Sequence, residues 1–168
     1  MYTDLRTALN QGLPTHEHMS RREHWKPGPP AAFNIRSSEA AQTYYLRHLV
    51  LWPDQPLAYV QLPDDDAGQH FGGFVGNELV VVISLFGSPA GAARLRKFAT
   101  HPAWQGQGLG PALLRHLLAV ARQQGARALW CDARQAPLPF YQRFGLLPEG
   151  EVFYKGPLAY QRLRRRWP

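Results

Sequence analysis

The stretch ARLRKFATHPAWQGQGLGPALLRHLL, Ala93 to Leu118, decides how the rest of the chain is read. Ala93–Thr100 reads as a strand and ends at His101-Pro102. Gln105-Gly106-Gln107-Gly108-Leu109-Gly110 comes next, and then a leucine-rich segment. A strand that runs through a glycine-rich turn into a helix makes an anion site. Glycine lets the backbone approach a ligand closely. The first helical turn leaves N–H groups unpaired at the positive end of the helix dipole. A phosphate or pyrophosphate is the natural guest. Alternation along the strand puts Leu95, Lys97 and Ala99 on one face and Arg94, Arg96, Phe98 and Thr100 on the other. Neither face is purely apolar, so this strand is expected to border a cleft.

Downstream, a helix over Gly108–Gln124 carries a stripe of Leu109, Leu113, Leu117 and Val120, and Gly125 stops it. Ala128–Asp132 reads as a strand, Leu138–Phe144 as a short helix, and Glu151–Tyr154 and Leu158–Leu163 as the last two strands. Upstream, Ala32–Arg36 reads as a strand. A helix over Glu39–Val50, capped by Ser37 or Ser38, stops at Trp52-Pro53. Leu57–Leu62 reads as a short helical turn or extended chain. Pro63–Gly68 is an acidic loop, open to two readings: a solvated approach to a hairpin, or a lure for a cationic substrate. Gln69–Val75 and Glu78–Phe86 form a hairpin about Gly76-Asn77.

The order is β-α-β-β-β-α-β-α-β-β. It implies an α/β (α+β) fold, a mixed, mostly antiparallel sheet of about six or seven strands flanked by helices. It lacks the repeated βαβ units of a dinucleotide fold. No Gly-Lys-Ser/Thr succeeds the glycines, which excludes a P-loop.

The chain has 168 residues, 45% hydrophobic and 18% charged, enough for one domain with a sizeable core. We expect residues 32–168 to form that domain. Residues 1–31, rich in proline and charge, read as an arm or linker with one short helix over Thr3–Gln11. His16, His18 and His24 lack cysteine partners and a regular element, so no metal site is expected. No apolar run reaches membrane-span length, and the chain shows no secretory leader, so a cytoplasmic protein is expected. The single cysteine, Cys131, agrees with a reducing compartment. The net charge of +7 suits a polyanionic ligand or simple solubility. Arg162–Arg166 reads as a solvated basic tail.

On these residues the chain resembles the GNAT N-acetyltransferase superfamily. Gln105–Gly110 matches its Gln/Arg-x-x-Gly-x-Gly/Ala hallmark. The strand ending in His-Pro, the leucine-rich helix, and Phe140-Tyr141-Gln142-Arg143-Phe144-Gly145-Leu146 match the segments that flank the hallmark in that family. The resemblance covers about Ala32–Leu163 and implies the acyl-CoA N-acyltransferase fold with acetyl-CoA as cosubstrate and no metal. It implies that backbone N–H groups around Gln107, Gly108 and Gly110 hold the pyrophosphate, with Gln105, Gly106 and Leu109 also in the cofactor site. Phe98, Ala99 and Thr100 would pair with the pantetheine arm, and Arg143 would meet the nucleotide phosphates. Two positions depart from the pattern. Pro111 removes a first-turn N–H, and Arg134 replaces an asparagine that often touches pantetheine.

The implied reaction is acetyl transfer to a primary amine of a small molecule or peptide. Phe98 N–H would stabilise the oxyanion, and Tyr141 would protonate the leaving thiolate. Asp132, His70 and Glu78 are the candidates for a base, beside a base-free route. Cys131 reads as a core residue. Trp52, Tyr59 and Asp64–Asp66 would line the acceptor pocket. The resemblance implies neither a nucleic acid nor a membrane as partner, and it leaves a homodimer open. Two rival readings are a non-catalytic acyl-CoA-binding module and a nucleic-acid binder acting through Arg162–Arg166.

Overall fold

The computed structural model describes residues 28–87 and 91–168. The expected Thr3–Gln11 helix, His16, His18, His24 and most of the 1–31 arm lie outside the described residues. Seven strands form one sheet: β1 (Phe33–Ser38), β2 (Gln69–Val75), β3 (Glu78–Phe86), β4 (Ala92–Thr100), β5 (Ala128–Arg134), β6 (Leu147–Lys155) and β7 (Leu158–Arg166). Their order is β1-β2-β3-β4-β5-β7-β6. All neighbours are antiparallel except β4 and β5. That parallel pair is short: only Ala92–Arg94 meets Ala128–Trp130. From Leu95 and Cys131 onward the two strands part, and the sheet opens along its middle.

One helix lies on each face of the first half of the sheet. α2 (Leu109–Gln123) buries Leu109, Leu113, Leu114, Leu117 and Leu118 against Val81, Ile83, Leu85 and Leu95. Burying each such leucine stabilises the fold by roughly 1.5–3 kcal/mol. α1 (Ala40–Leu51) packs on the other face, where Leu46 meets Val82 and Ala99. α3 (Leu138–Gln142) is a single short turn after β5.

Three local expectations are corrected. The cap of α1 is Glu39, not a serine. Its side chain accepts from the Gln42 N–H while the Gln42 amide oxygen accepts from the Glu39 N–H at 2.8 Å. This reciprocal box satisfies two helix-end donors at once. The Arg162–Arg166 run is not a tail. It is the end of β7, and its arginines are engaged: Arg162 with Asp132 (2.9 Å), Arg164 and Arg166 with Glu149 (2.6 Å each), and Arg165 with the Phe144 carbonyl (2.8 Å).

The third correction matters most. β4 does not alternate simply, because Val82 pairs with Ala99 while Ser84 pairs with Arg96. Two residues of β4, Lys97 and Phe98, therefore oppose one residue of β3. Lys97 sits at φ +53°, the one non-glycine residue with positive φ among the described residues. Such a bulge leaves the extra residue without a ladder partner and re-aims the chain beyond it. Leu95 and Phe98 consequently pack on the α2 side, and Ala99 packs on the α1 side.

Candidate active site

The parting of β4 and β5 makes a cavity of about 940 Å³ that is lined from both faces of the sheet. On the α2 side its wall includes Phe98, Leu109, Gly110, Phe140 and Tyr141. On the α1 side it includes Val50, Leu51, Trp52 and Tyr59.

The glycine loop closes one end. After the 3-10 turn Pro102–Trp104, Gly106 takes φ +76° and Gly108 φ +80°. Gly108 is the N-cap of α2 in the left-handed region, and its carbonyl accepts the first helical bond, from Ala112 N–H, at 3.1 Å. A β-carbon in that conformation costs about 1–2 kcal/mol, so glycine belongs there. With Pro111 lacking an N–H, Leu109 and Gly110 are the helical donors left in the first turn. Side chains brace the loop: Gln105 donates to the Thr100 carbonyl at 3.1 Å and Gln107 to the Ala103 carbonyl at 3.2 Å.

The expected cofactor residues mostly share this wall. Phe98, Ala99, Thr100, Gln105, Gly106, Gly108, Leu109, Gly110, Arg134 and Arg143 line the cavity. Gln107 does not, its side chain being turned back to Ala103. Tyr141 lies beside the bulge, its ring 6.3 Å from that of Phe98 and 5.2 Å from that of Phe140. Burial, helped by the neighbouring Cys131, pushes its hydroxyl well up from 10.0, so it stays protonated across the neutral range.

The base candidates fare differently. Asp132 lines the cavity, but Arg162 (2.9 Å), Arg94 (3.4 Å) and Lys155 (3.9 Å) surround its carboxylate. His70 is buried off the cavity wall. Its Nδ1 lies 2.8 Å from Ser84 Oγ, and its Nε2 donates to the Asp65 carbonyl at 2.8 Å. Glu78 lies outside the wall too, and its carboxylate accepts from the Trp104 indole at 3.4 Å. None of Asp64, Asp65 and Asp66 lines the cavity, and Asp66 is exposed. Asp65 is buried against Arg47 at 2.9 Å, and Asp64 pairs with Arg96 at 3.0 Å. Trp52 and Tyr59 do stand at the wall, packed edge-on with centroids 5.1 Å apart.

A profile of the acetyltransferase (GNAT) family matches residues 31–146. The chain belongs to this family. It is an acyl-CoA N-acyltransferase. It is similar to the uncharacterised N-acetyltransferase YitI of Bacillus subtilis (strain 168), with 30% identity over 129 residues, 71% of this chain and 85% of that one. An acetyltransferase of Bacillus subtilis in complex with CoA has the same fold, with TM-score 0.65 and 18% identity over 81% of this chain and 99% of the other. So does a GNAT family acetyltransferase from Elizabethkingia anophelis with acetyl-CoA bound, with TM-score 0.66 and 17% identity over 82% and 100%.

Arg94, Arg96 and Lys97, on the strand expected to border a cleft, do line it, and sequence reasoning missed Lys155 and the gathering of these charges. For Lys155 the only signal in the sequence was the net positive charge. Cys131, by contrast, is a core thiol. Burial and the charge of Asp132 push it up to about 12, which leaves it unreactive.

Lys97 carries a measurable cost. Burial, with Arg47 and Arg96 nearby, lowers its ammonium from 10.5 to about 8. Between those values the unfolded chain holds the extra proton, so stability rises with pH there and the cost is fully present below about 8. Solvent at the cavity mouth screens part of it, leaving on the order of 1 kcal/mol. Lys97→Met should raise Tm at neutral pH by about 2–4 °C. Thermal scans should show that advantage fading as pH rises from about 8 to 10.5. A gain independent of pH would mean that packing, not charge, is responsible.

Proposed function

We propose that this acyltransferase moves an acetyl group from acetyl-CoA to a primary amine of a small molecule or peptide by direct attack. The observation that carries this reading is the passage through the sheet between β4 and β5, with the α2 N-terminus at one end and Tyr141 beside the β4 bulge. Beyond Arg94 the edge of β4 facing β5 is open, and a pantetheine arm can add to it as a strand does. The N–H groups of Leu109 and Gly110, with the α2 dipole behind them, suit the pyrophosphate, and Arg143 suits the nucleotide phosphates.

Phe98 has no register partner on β3, and its N–H would donate to the thioester carbonyl oxygen as charge develops there. The amine nitrogen bonds to the carbonyl carbon, the C–S bond breaks, Tyr141 gives its hydroxyl proton to the thiolate, the amine proton leaves to solvent, and solvent returns a proton to the Tyr141 phenolate. No base is assigned. Asp132 is engaged by three cations, and His70 stands off the wall. The rate should then track ionisation of the acceptor amine. kcat/KM for a given amine should climb with pH up to that amine's own pKa, and a plateau set near pH 6–7 for every amine would point to a protein base.

Release of CoA thiol from acetyl-CoA across a panel of amines tests the reading. Turnover with an acetylated amine product supports it. Tight CoA binding without turnover of any amine favours a non-catalytic acyl-CoA-binding module instead. Gly108→Val should weaken CoA binding by about tenfold or more, because valine disfavours φ +80° and the loop must reshape. Calorimetric titration with CoA checks this, and unchanged affinity would remove the loop from the site.

A further inference from the structure

Acetyl transfer by itself does not call for the charge on the open face of the sheet. Among the described residues, α1 packs on β2, β3 and β4 and makes no comparable contact with β5 or β7. Arg94, Arg96, Lys97, Arg134 and Lys155 line the cavity, and Asp132 is the sole carboxylate of the wall among the described residues. Asp132 cannot balance them, since Arg162 from outside the wall holds its Oδ1 at 2.9 Å. Arg96 has Asp64, which is half exposed. Lys97 and Arg134 have no carboxylate partner among the described residues. Arg134 donates to two neutral oxygens, the Leu51 carbonyl and the Tyr160 hydroxyl, and lies over the Trp52 ring. Arg94 Nε is buried without a hydrogen-bond partner.

Like charges gathered in a partly dry cleft repel one another unless an anion joins them. That repulsion is visible in the groups themselves. Arg94 is lowered by burial and then by Arg96, and Lys155 by burial and by Arg94, Arg96 and Arg162 against the pull of Asp132. A simple protonated amine or a polyamine would meet the same repulsion.

We propose, resting on the acetyl-transfer reading above, that the acceptor amine also carries an oxyanion, a carboxylate or a phosphate, and that Lys97, Lys155 and Arg96 hold it. The surrounding positive charge has a second effect. It disfavours the ammonium form of the acceptor and so presents the neutral amine that attack requires, in a site with no assigned base. This reading is the opposite of an acidic lure at Asp64–Asp66.

Matched acceptors test this on the full-length wild-type protein by thiol release. Glycine is compared with glycinamide, phosphoethanolamine with ethanolamine, and spermidine stands for polycations. The anionic member of at least one pair should have a kcat/KM at least about tenfold higher, and the advantage should shrink with rising salt. Which pair shows it tells carboxylate from phosphate. Lys155→Met and Lys97→Met should each raise KM for the anionic member by about tenfold more than for its neutral partner. Neutral amines or spermidine turned over equally well or better would overturn the anionic acceptor while leaving acetyl transfer in place. CoA binding without thiol release from any acceptor would overturn both readings. The wild-type comparison stands on its own if either variant folds poorly.

Discussion

Replacing Tyr141 with phenylalanine should lower kcat by about 10²–10⁴-fold and leave the Kd for CoA within about twofold. The hydroxyl is the only group removed. The ring stays wedged between Phe98 and Phe140, so no cavity opens and the wall keeps its shape. Because burial keeps the phenol protonated, it is available as a donor at neutral pH. The effect belongs in kcat, since a proton given to the leaving thiolate is needed in the transition state and not for binding. Steady-state kinetics with parallel CoA titrations give the split. An unchanged kcat would reduce Tyr141 to a packing residue. A loss confined to CoA affinity would make it a binding one.

Asp65→Asn should destabilise the protein by roughly 3 kcal/mol or more, lowering Tm by about 10 °C. Arg47 is fully buried on α1. Its guanidinium donates to both Asp65 oxygens (3.0 and 2.9 Å), the Val60 carbonyl (3.2 Å) and Ser84 Oγ (3.0 Å), and contacts His70 Nδ1 at 3.2 Å. One side chain thus ties α1 to the 3-10 turn Leu57–Val60, the acidic loop, β2 and β3. Removing its counter-charge leaves a buried cation without an anion, which costs more than the pair contributed. The pH dependence has a definite sign. Burial alone would raise the Asp65 carboxyl, but Arg47, the Leu62 N–H and His70 win and hold it below 3.8. Its contribution is therefore complete above the ordinary carboxylate value of 3.8 and is lost as pH falls through the lower folded value. Wild type and variant should converge in strongly acid solution. Equal Tm values at neutral pH would show that the Arg47 cluster is not the anchor of this wall.

The parts of this fold that were legible carry local signals. The Gly76-Asn77 hairpin, the leucine stripe of α2 and the Gln105–Gly110 turn each announce themselves within a few residues, and all three stand where the pattern put them. The β4 bulge had no such signal. Positive φ is usually marked by glycine or asparagine, and here it falls on Lys97, so strict alternation placed Leu95 and Ala99 together when they face opposite cores. Asp65 and Arg47 lie 18 residues apart, and nothing in an acidic run tells which carboxylate is buried. The mixed faces of Ala93–Thr100 marked a cleft strand, but the cationic wall as a whole was silent, because Arg94, Lys155 and Asp132 come from three strands that meet only in the folded sheet. Spacing within one segment predicts that segment. Charge balance across a cleft depends on topology.

The gap between β4 and β5 should bind acyl-CoA with its pyrophosphate on the first turn of α2. A structure of the protein with acetyl-CoA measures this most directly. The expected result is pyrophosphate oxygens within about 3 Å of the Leu109 and Gly110 N–H groups, and the thioester oxygen at the same distance from Phe98 N–H. Acetyl-CoA bound elsewhere, with the β4–β5 gap empty, would contradict it.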